Sequence, residues 1–131
     1  MEILFFLIPK SQVAHAFSTN SIRQVIEKLD YHHYTMIPVI DKEGKYVYSI
    51  SDGDLFWYFR NHSEVEREDA EKISISEVPK RREIKAVKYD ASMEDLFTLA
   101  INQNFVPVID DKGVFIGIIT RRSIIEYLSK K

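Results

Sequence analysis

Two predicted strand-to-helix junctions hold the residues of this 131-residue chain best suited to binding an anion. In the first junction, Ser51 and Asp54 have the spacing of a capping box, in which each side chain accepts a hydrogen bond from the other's backbone N–H. The second junction reads Thr120-Arg121-Arg122-Ser123. A helix N-terminus offers unpaired N–H groups, and adjacent guanidinium groups add forked donors that match phosphate oxygens. The pattern predicts phosphate binding, and plain helix capping with solvated arginines is the alternative interpretation.

Other kinds of chemistry lack a recognisable pattern in the sequence. The four histidines do not have the spacing of metal ligands, and the absence of cysteine excludes disulfides, thiolate metal sites and thiol catalysis. Neither a phosphate-binding P-loop nor a G-x-S-x-G nucleophile motif is present. We therefore expect no metal, no cofactor and no enzymatic activity.

Composition limits the possible partners and the compartment. A hydrophobic content of 45% and a charged content of 29% are typical of a soluble globular protein, and the net charge of −2 gives no general attraction to nucleic acid or to membranes. The apolar residues 3–8 are too few to span a bilayer and lack the basic region of a signal peptide. We therefore expect a cytoplasmic protein.

The two junctions belong to a duplicated segment. Ile37–Phe59 and Val106–Leu128 align without a gap at a constant shift of 69 positions, the difference between residue numbers 37 and 106. Seven aligned pairs are identical: Pro38/Pro107, Val39/Val108, Ile40/Ile109, Asp41/Asp110, Gly44/Gly113, Ile50/Ile119 and Tyr58/Tyr127. The duplication predicts a first repeat over residues 1–62, a charged helical connector over 63–72 and a second repeat over 73–131.

Each repeat has the order of elements strand, helix, strand, strand, helix. One apolar helix stripe consists of Ile22, Val25, Ile26 and Leu29, and the other consists of Met93, Leu96, Phe97 and Ala100. The hairpin of each repeat turns at a glycine, Gly44 or Gly113. The sequence thus predicts an α/β fold built from two β-α-β-β-α repeats that form a pseudo-two-fold pair.

This order, with the motif h-P-V-h-D (h is any apolar residue), the glycine turn and a Ser or Thr at the end of the second strand, resembles the cystathionine β-synthase (CBS) domain. A tandem pair of such domains is a Bateman module. The resemblance implies that adenosyl nucleotides bind in the clefts between the repeats. It also implies that Asp54, three residues after Ser51, holds the ribose hydroxyls, whereas Ser123 departs from the family pattern.

A closer resemblance links the chain to the stand-alone CBS-pair proteins of Gram-positive bacteria, the CbpB/DarB family. It rests on the stretches Val13-Ala14-His15, Tyr34-Thr35-Met36-Ile37-Pro38, Asn104-Phe105-Val106 and Ile119-Thr120-Arg121-Arg122. The resemblance implies binding of cyclic di-AMP. The implied contacts are an adenine slot at Val13, Ala14, Tyr34, Thr35, Met36, Ile37 and Pro38, a second slot at Phe105, Val106 and Pro107, and phosphate or base contacts from Thr120, Arg121 and Arg122. It further implies a target enzyme such as a stringent-response (p)ppGpp synthetase.

Two features leave alternatives open. A basic cluster, interpreted as a solvated strand edge, consists of Lys80, Arg81, Arg82, Lys85 and Lys88. The alternative is that Arg81 or Arg82 helps to hold the phosphates of the ligand. The aromatic run 56–59 surrounds one short helix, so we expect two rings in the core and the others in a homodimer contact. The alternative functions are an AMP, ADP or ATP sensor that uses Asp54, and an interaction scaffold without a ligand.

Overall fold

The duplicated halves form helices and strands where the apolar periodicity predicts them. The computed structural model describes residues 1–130, which contain four α-helices and two β-sheets, so the α/β fold is confirmed. These residues divide into two units by their internal contacts. The repeat-1 unit comprises Ala14–Lys42 and Val47–Glu83. The repeat-2 unit comprises Met1–Val13, Glu43–Tyr46 and the described chain from Ile84 onward.

The helices and strands follow in this order along the chain: β1 (Ile8–Pro9), β2 (Ala16–Phe17), α1 (Ile22–His32), β3 (Met36–Ile40), β4 (Tyr46–Ser51), α2 (Asp52–Asn61), β5 (Val87–Lys88), α3 (Met93–Ala100), β6 (Phe105–Ile109), β7 (Phe115–Thr120) and α4 (Arg121–Ser129). Short 3₁₀ turns occur at Ile3–Phe6, Lys10–Gln12, Arg67–Glu71 and Ile75–Glu77. Strands β1, β2 and β5 have only two residues each.

Helix α1 shows how the local sequence sets an element of the repeat-1 unit. Ser21 is the N-cap, and its hydroxyl accepts the backbone N–H of Gln24 at 3.2 Å while the Gln24 side chain accepts the N–H of Ser21 at 2.8 Å. The helix ends at His33, which has a left-handed backbone with φ of 58°. Of the predicted apolar stripe, Ile26 is an exception, because it is 41% exposed while the other three residues are buried.

The repeat-1 unit has a three-stranded sheet in the order β2-β3-β4, with β2 parallel to β3. Its core reaches into the charged connector, where Ala70 is buried and Val65 packs against the buried cluster. The glutamates of the connector are exposed, whereas Asp69 is half-buried. The connector, predicted to be a helix, contains only the 3₁₀ turn Arg67–Glu71.

The repeat-2 unit has a four-stranded sheet in the order β1-β7-β6-β5. Gly117 in β7 pairs with Pro9 in β1, and a Cβ atom at Gly117 would overlap the carbonyl oxygen of Ile8. Its φ of 155° also favours glycine. Strand β1 can therefore approach β7 closely only because residue 117 has no side chain.

The N-terminal apolar residues pack in the core of the repeat-2 unit. Ile3 and Phe6 are buried there, in one cluster with Leu96 and Val106. These first residues thus share a compact unit with the second sequence repeat. The predicted repeat boundaries stay a prediction, because they describe duplication of the sequence and the two units describe packing. In the described chain, no helix combines the length and the apolar character that crossing a membrane requires.

Candidate functional site

The N-terminus of α2 forms the predicted capping box. The Ser51 hydroxyl accepts the backbone N–H of Asp54 at 3.0 Å, and one carboxylate oxygen of Asp54 accepts the N–H of Ser51 at 2.9 Å. The arrangement satisfies two of the N–H groups at this junction and places a negative charge at the positive end of the helix. Helix capping, one of the two interpretations of this motif, is therefore confirmed.

The second carboxylate oxygen of Asp54 has a partner that the local sequence does not indicate. It accepts the backbone N–H of Arg81 at 3.0 Å, and the Asp54 residue as a whole is only 5% exposed. Both oxygens therefore hold backbone groups. A ribose hydroxyl would have to use the remaining lone pairs of this buried carboxylate. The ribose role of Asp54 stays a prediction.

Lys80, which precedes Arg81, anchors this part of the chain within the repeat-1 unit. The Lys80 ammonium donates to the carbonyl oxygen of Ile75 at 2.8 Å and lies 3.8 Å from the centre of the Tyr48 ring. Burial lowers the pKa of Lys80, and the nearby Asp54 carboxylate partly opposes this effect. Within the predicted basic cluster, Lys80 is thus partly buried and bonded to the fold. Lys88, in the repeat-2 unit, forms an ion pair with Asp111.

The start of β3 lies beside this junction. The backbone N–H of Asp52, the first residue of α2, donates to the carbonyl oxygen of Thr35 at 2.9 Å. Tyr34 is 48% exposed and stacks on His32 with ring centres 5.2 Å apart. Ile37 and Pro38 are buried in the sheet, whereas Thr35 is exposed.

Six of the seven residues predicted for the first slot belong to the repeat-1 unit. Ala14 and Met36 are half-buried there, and Ala14 packs against the core of this unit. Val13, the seventh residue, is half-buried in the repeat-2 unit. Of the seven residues predicted for the first slot, the exposed ones are therefore Tyr34 and Thr35.

The repeat-2 unit contains the same junction. The backbone N–H of Arg121, the first residue of α4, donates to the carbonyl oxygen of Asn104 at 2.8 Å, which corresponds to the bond between Asp52 and Thr35. Thr120 caps α4 by accepting the N–H of Ser123 at 3.1 Å. The Ser123 hydroxyl donates to the Thr120 carbonyl at 2.8 Å. Ser123, at the position that corresponds to Asp54, therefore bonds a carbonyl oxygen and accepts no backbone N–H in its place.

The residues predicted for the second slot are the first three residues of β6. Phe105 is half-buried, while Val106 and Pro107 are buried in β6. Just before them, the amide of the buried Gln103 donates to the carbonyl oxygens of Lys85 and Phe105 and accepts the N–H of Lys85. Gln103 positions the start of β6, and its only signal in the sequence is that two polar residues, Gln103 and Asn104, come directly before an apolar strand.

The two arginines of α4 differ in their surroundings. The Arg121 guanidinium donates to the carbonyl oxygen of Ala100 at 2.7 Å and to that of Ile101 at 3.4 Å, at the C-terminal end of α3. The Arg122 side chain is 88% exposed and pairs with Glu126, one helical turn away, at 2.8 Å. Arg121 thus uses part of its guanidinium group to bond the end of α3. The Arg122 side chain is held only by a weak surface ion pair.

Cavities in the two units overlap little with the predicted contacts. A cavity of 170 Å³ in the repeat-1 unit has Asp54, Trp57, His62 and Arg81 among its lining residues. Two further cavities, of 520 and 460 Å³, contain none of the predicted site residues. Within residues 1–130, no group of three or more acidic and histidine side chains is arranged to hold a metal ion.

Comparisons with known proteins agree with this arrangement. The profile of the CBS domain family matches residues 7–61 and 75–130, which confirms the tandem resemblance. Cyclic di-AMP receptor B of Bacillus subtilis (strain 168) is 29% identical over 125 residues, which are 95% of this chain and 84% of that protein. A crystal structure of CbpB in complex with c-di-AMP has a TM-score of 0.88 and 29% identity, and covers 99% of this chain and 85% of that one. CbpB of Listeria monocytogenes in complex with c-di-AMP has a TM-score of 0.83 and 26% identity, with coverages of 95% and 92%.

Proposed function

The chain belongs to the CBS domain family, and we propose that it is a receptor for cyclic di-AMP that controls a partner protein. The observation that carries the proposal is the similarity to a CbpB protein crystallised with c-di-AMP, which extends over 99% of this chain at a TM-score of 0.88. The receptor of Bacillus subtilis, similar over 95% of the chain, supports the same ligand. The protein acts by binding and not by catalysis.

Within the repeat-1 unit, the proposed adenine contact is the start of β3. Tyr34 and Thr35 are exposed there, so a flat base can lie on the Tyr34 ring while strand-end backbone groups bond its polar edge. Ala14 and Met36 supply half-buried apolar surface, and Ile37 and Pro38 fix the backbone from within the core.

Within the repeat-2 unit, the proposed cationic contacts are the first residues of α4. Arg122 needs to give up only its exposed pair with Glu126, which is worth about 0.3–0.5 kcal/mol, to reach a phosphate. Arg121 keeps its bond to α3 and offers its remaining N–H donors. Thr120 presents the helix N-terminus, and Phe105, Val106 and Pro107 form the apolar part of this contact.

A mononucleotide such as AMP, ADP or ATP is the second candidate, favoured by Asp54 at the position where the family pattern places the ribose ligand. The two backbone bonds that Asp54 already makes weaken this candidate. Beyond the ligand, the proposal includes a homodimer in the cytoplasm. The partner is an enzyme, such as a (p)ppGpp synthetase, that the ligand-free form binds and the ligand-bound form releases.

The test is a ligand panel of cyclic di-AMP, AMP, ADP, ATP and S-adenosylmethionine, measured by thermal shift and calorimetry. A ligand at 100 times its Kd stabilises the folded state by about 2.7 kcal/mol, which raises the Tm of a chain of this size by about 8 °C. We expect cyclic di-AMP to give the largest shift. If none of the five ligands raises the Tm at millimolar concentration, the receptor proposal is wrong.

Arg122→Ala is the sharpest variant for this test, because its side chain has no role in the core. We expect it to weaken cyclic di-AMP binding at least 10-fold with an unchanged Tm of the free protein. Arg67→Ala is the matched control, since it removes an equally charged exposed arginine outside the predicted site. Equal affinities for the two variants would remove Arg122 from the site.

A further inference from the structure

Residues 31–34, at the C-terminal end of α1, all have ring side chains. The His32 imidazole stacks on the Tyr34 ring, with ring centres 5.2 Å apart and planes inclined by only 13°. The Tyr31 ring meets the imidazole edge-on, with ring centres 4.9 Å apart. Tyr31, His32 and Tyr34 are all exposed, so this group of rings lies on the surface of the repeat-1 unit and outside its core.

The backbone of Tyr34 is fixed on both sides. Its N–H donates to the carbonyl oxygen of Leu29 at 3.0 Å, and the preceding residue, His33, has the left-handed backbone that ends a helix in a Schellman motif. On the other side, the carbonyl oxygen of Thr35 accepts the N–H of Asp52 at 2.9 Å. The remaining freedom of Tyr34 is therefore in the torsion angles of its side chain.

His32 limits this remaining freedom, because its ring lies flat against one face of the Tyr34 ring. The distance and the small angle are those of a favourable stacked pair. Within residues 1–130, no other ring stacks on Tyr34, and the residue is still 48% exposed. The imidazole thus covers one face of the phenol ring, and the opposite face is the one on which a base can lie.

We propose that His32 is a positioning residue for the adenine contact of Tyr34. It holds the phenol ring in the orientation that a base needs, so the bound state contains an imidazole, a phenol and an adenine in a row. A contact ring that is already ordered loses less conformational entropy on binding, which raises the affinity. This inference rests on the proposed function, because it deepens the adenine contact at the start of β3.

Three substitutions of His32 distinguish stacking from charge. His32→Ala removes the ring, His32→Phe keeps a ring without an ionisable group, and His32→Lys keeps a cation without a ring. If the ring acts by stacking, the phenylalanine variant binds like the wild type and the other two bind more weakly. If the imidazole instead attracts the phosphates of the ligand by its charge, the lysine variant is the one that retains binding.

His33→Gly is the matched control. It removes the neighbouring exposed imidazole, and glycine keeps the left-handed backbone at this position. Because His32 and His33 are both exposed, the variants are expected to fold, and far-UV circular dichroism checks this before each titration.

Calorimetry with cyclic di-AMP at one fixed pH measures the effect. We expect His32→Ala and His32→Lys to bind about 3- to 10-fold more weakly than the wild type, the factor that the free energy of one aromatic pair gives. His32→Phe and His33→Gly should keep the wild-type affinity. Wild-type affinity of His32→Ala overturns the proposal, and so does retention of binding by His32→Lys but not by His32→Phe.

A double-mutant cycle tests whether His32 acts through Tyr34. In a Tyr34→Ala background, His32→Ala should cause no further loss of affinity, because the ring that it positions is absent. Equal losses in the two backgrounds mean that His32 acts independently of Tyr34, and they overturn the proposal.

Titrations with AMP on the same samples separate this inference from the receptor function. Cyclic di-AMP binding that is equal in the wild type and all His32 variants overturns the positioning role and leaves the receptor function standing. If the protein binds AMP but not cyclic di-AMP, and His32→Ala weakens AMP binding, the positioning role is supported and the cyclic di-AMP receptor is contradicted. Binding of neither nucleotide overturns both.

Discussion

Replacing Asp54 with alanine tests the structural role of the first junction. The substitution removes two hydrogen bonds from a buried carboxylate to backbone N–H groups, those of Ser51 at 2.9 Å and Arg81 at 3.0 Å. Bonds to a charged group contribute about 1.5–3 kcal/mol each, so the expected loss in the free energy of unfolding is about 3–6 kcal/mol. Because domains of this size are stable by only about 5–15 kcal/mol, the variant will be partly unfolded well below the wild-type Tm.

The second repeat provides the matched control at the corresponding position. Ser123→Ala removes one bond between neutral groups, the 2.8 Å bond to the Thr120 carbonyl, and costs about 0.5–1.5 kcal/mol. Urea unfolding followed by far-UV circular dichroism measures both variants, provided that their m-values agree. If Asp54→Ala costs no more than Ser123→Ala, the carboxylate does not hold the backbone as described.

The same variant separates the two ligand candidates. We expect Asp54→Ala to abolish binding of AMP-type ligands through a lost ribose contact, and to leave or improve binding of cyclic di-AMP, whose phosphodiesters a nearby carboxylate repels. Calorimetry must be run at a temperature at which circular dichroism shows the variant to be folded. Loss of cyclic di-AMP binding by a folded variant would contradict this reasoning.

Three further predictions concern packing. Gly117→Ala should destabilise the protein by more than about 3 kcal/mol, because the new Cβ overlaps the backbone of β1. Gly113→Ala, whose Cβ meets no atom within 4 Å, should cost about 1–2 kcal/mol through its φ of 84° alone. Urea unfolding compares the two variants, and equal losses would refute the close approach of β1 to β7. Arg121→Ala should lower the unfolding free energy by about 1.5 kcal/mol through its lost bonds to α3, while Arg122→Ala changes it by less than about 0.5 kcal/mol; the reverse order would contradict the geometry. Tyr48→Phe should leave the Tm unchanged or raise it, because the buried hydroxyl bonds to no other described protein atom, and a clear fall in Tm would show that it has a partner.

Much of the fold could be predicted because its determinants are local. Ser51 and Asp54 are three residues apart, so their spacing alone indicates a capping box. The apolar periodicity located α1 and α3, and the repeat placed corresponding elements in both halves. The exception at Ile26 arises because periodicity identifies a helical face, whereas the neighbouring elements decide how much of that face they cover.

The site could be predicted less completely. The sequence marked Arg121 and Arg122 as a pair of equivalent phosphate donors. In the fold, the first bonds the end of α3 and the second lies in solvent, because successive helical residues point about 100° apart. Their spacing in the chain carries no information about which of them finds a carbonyl.

The sequence by itself determined the duplication, the helix caps and the CBS family, since each depends on residue types at fixed short spacings. Only the tertiary structure decided that Asp54 holds the backbone of Arg81, that β1 lies against Gly117, and that Arg81 reaches the ring of Trp57. These contacts join residues at least 24 positions apart. The physical reason is that such contacts depend on the path of the whole chain, which the packing of both cores sets.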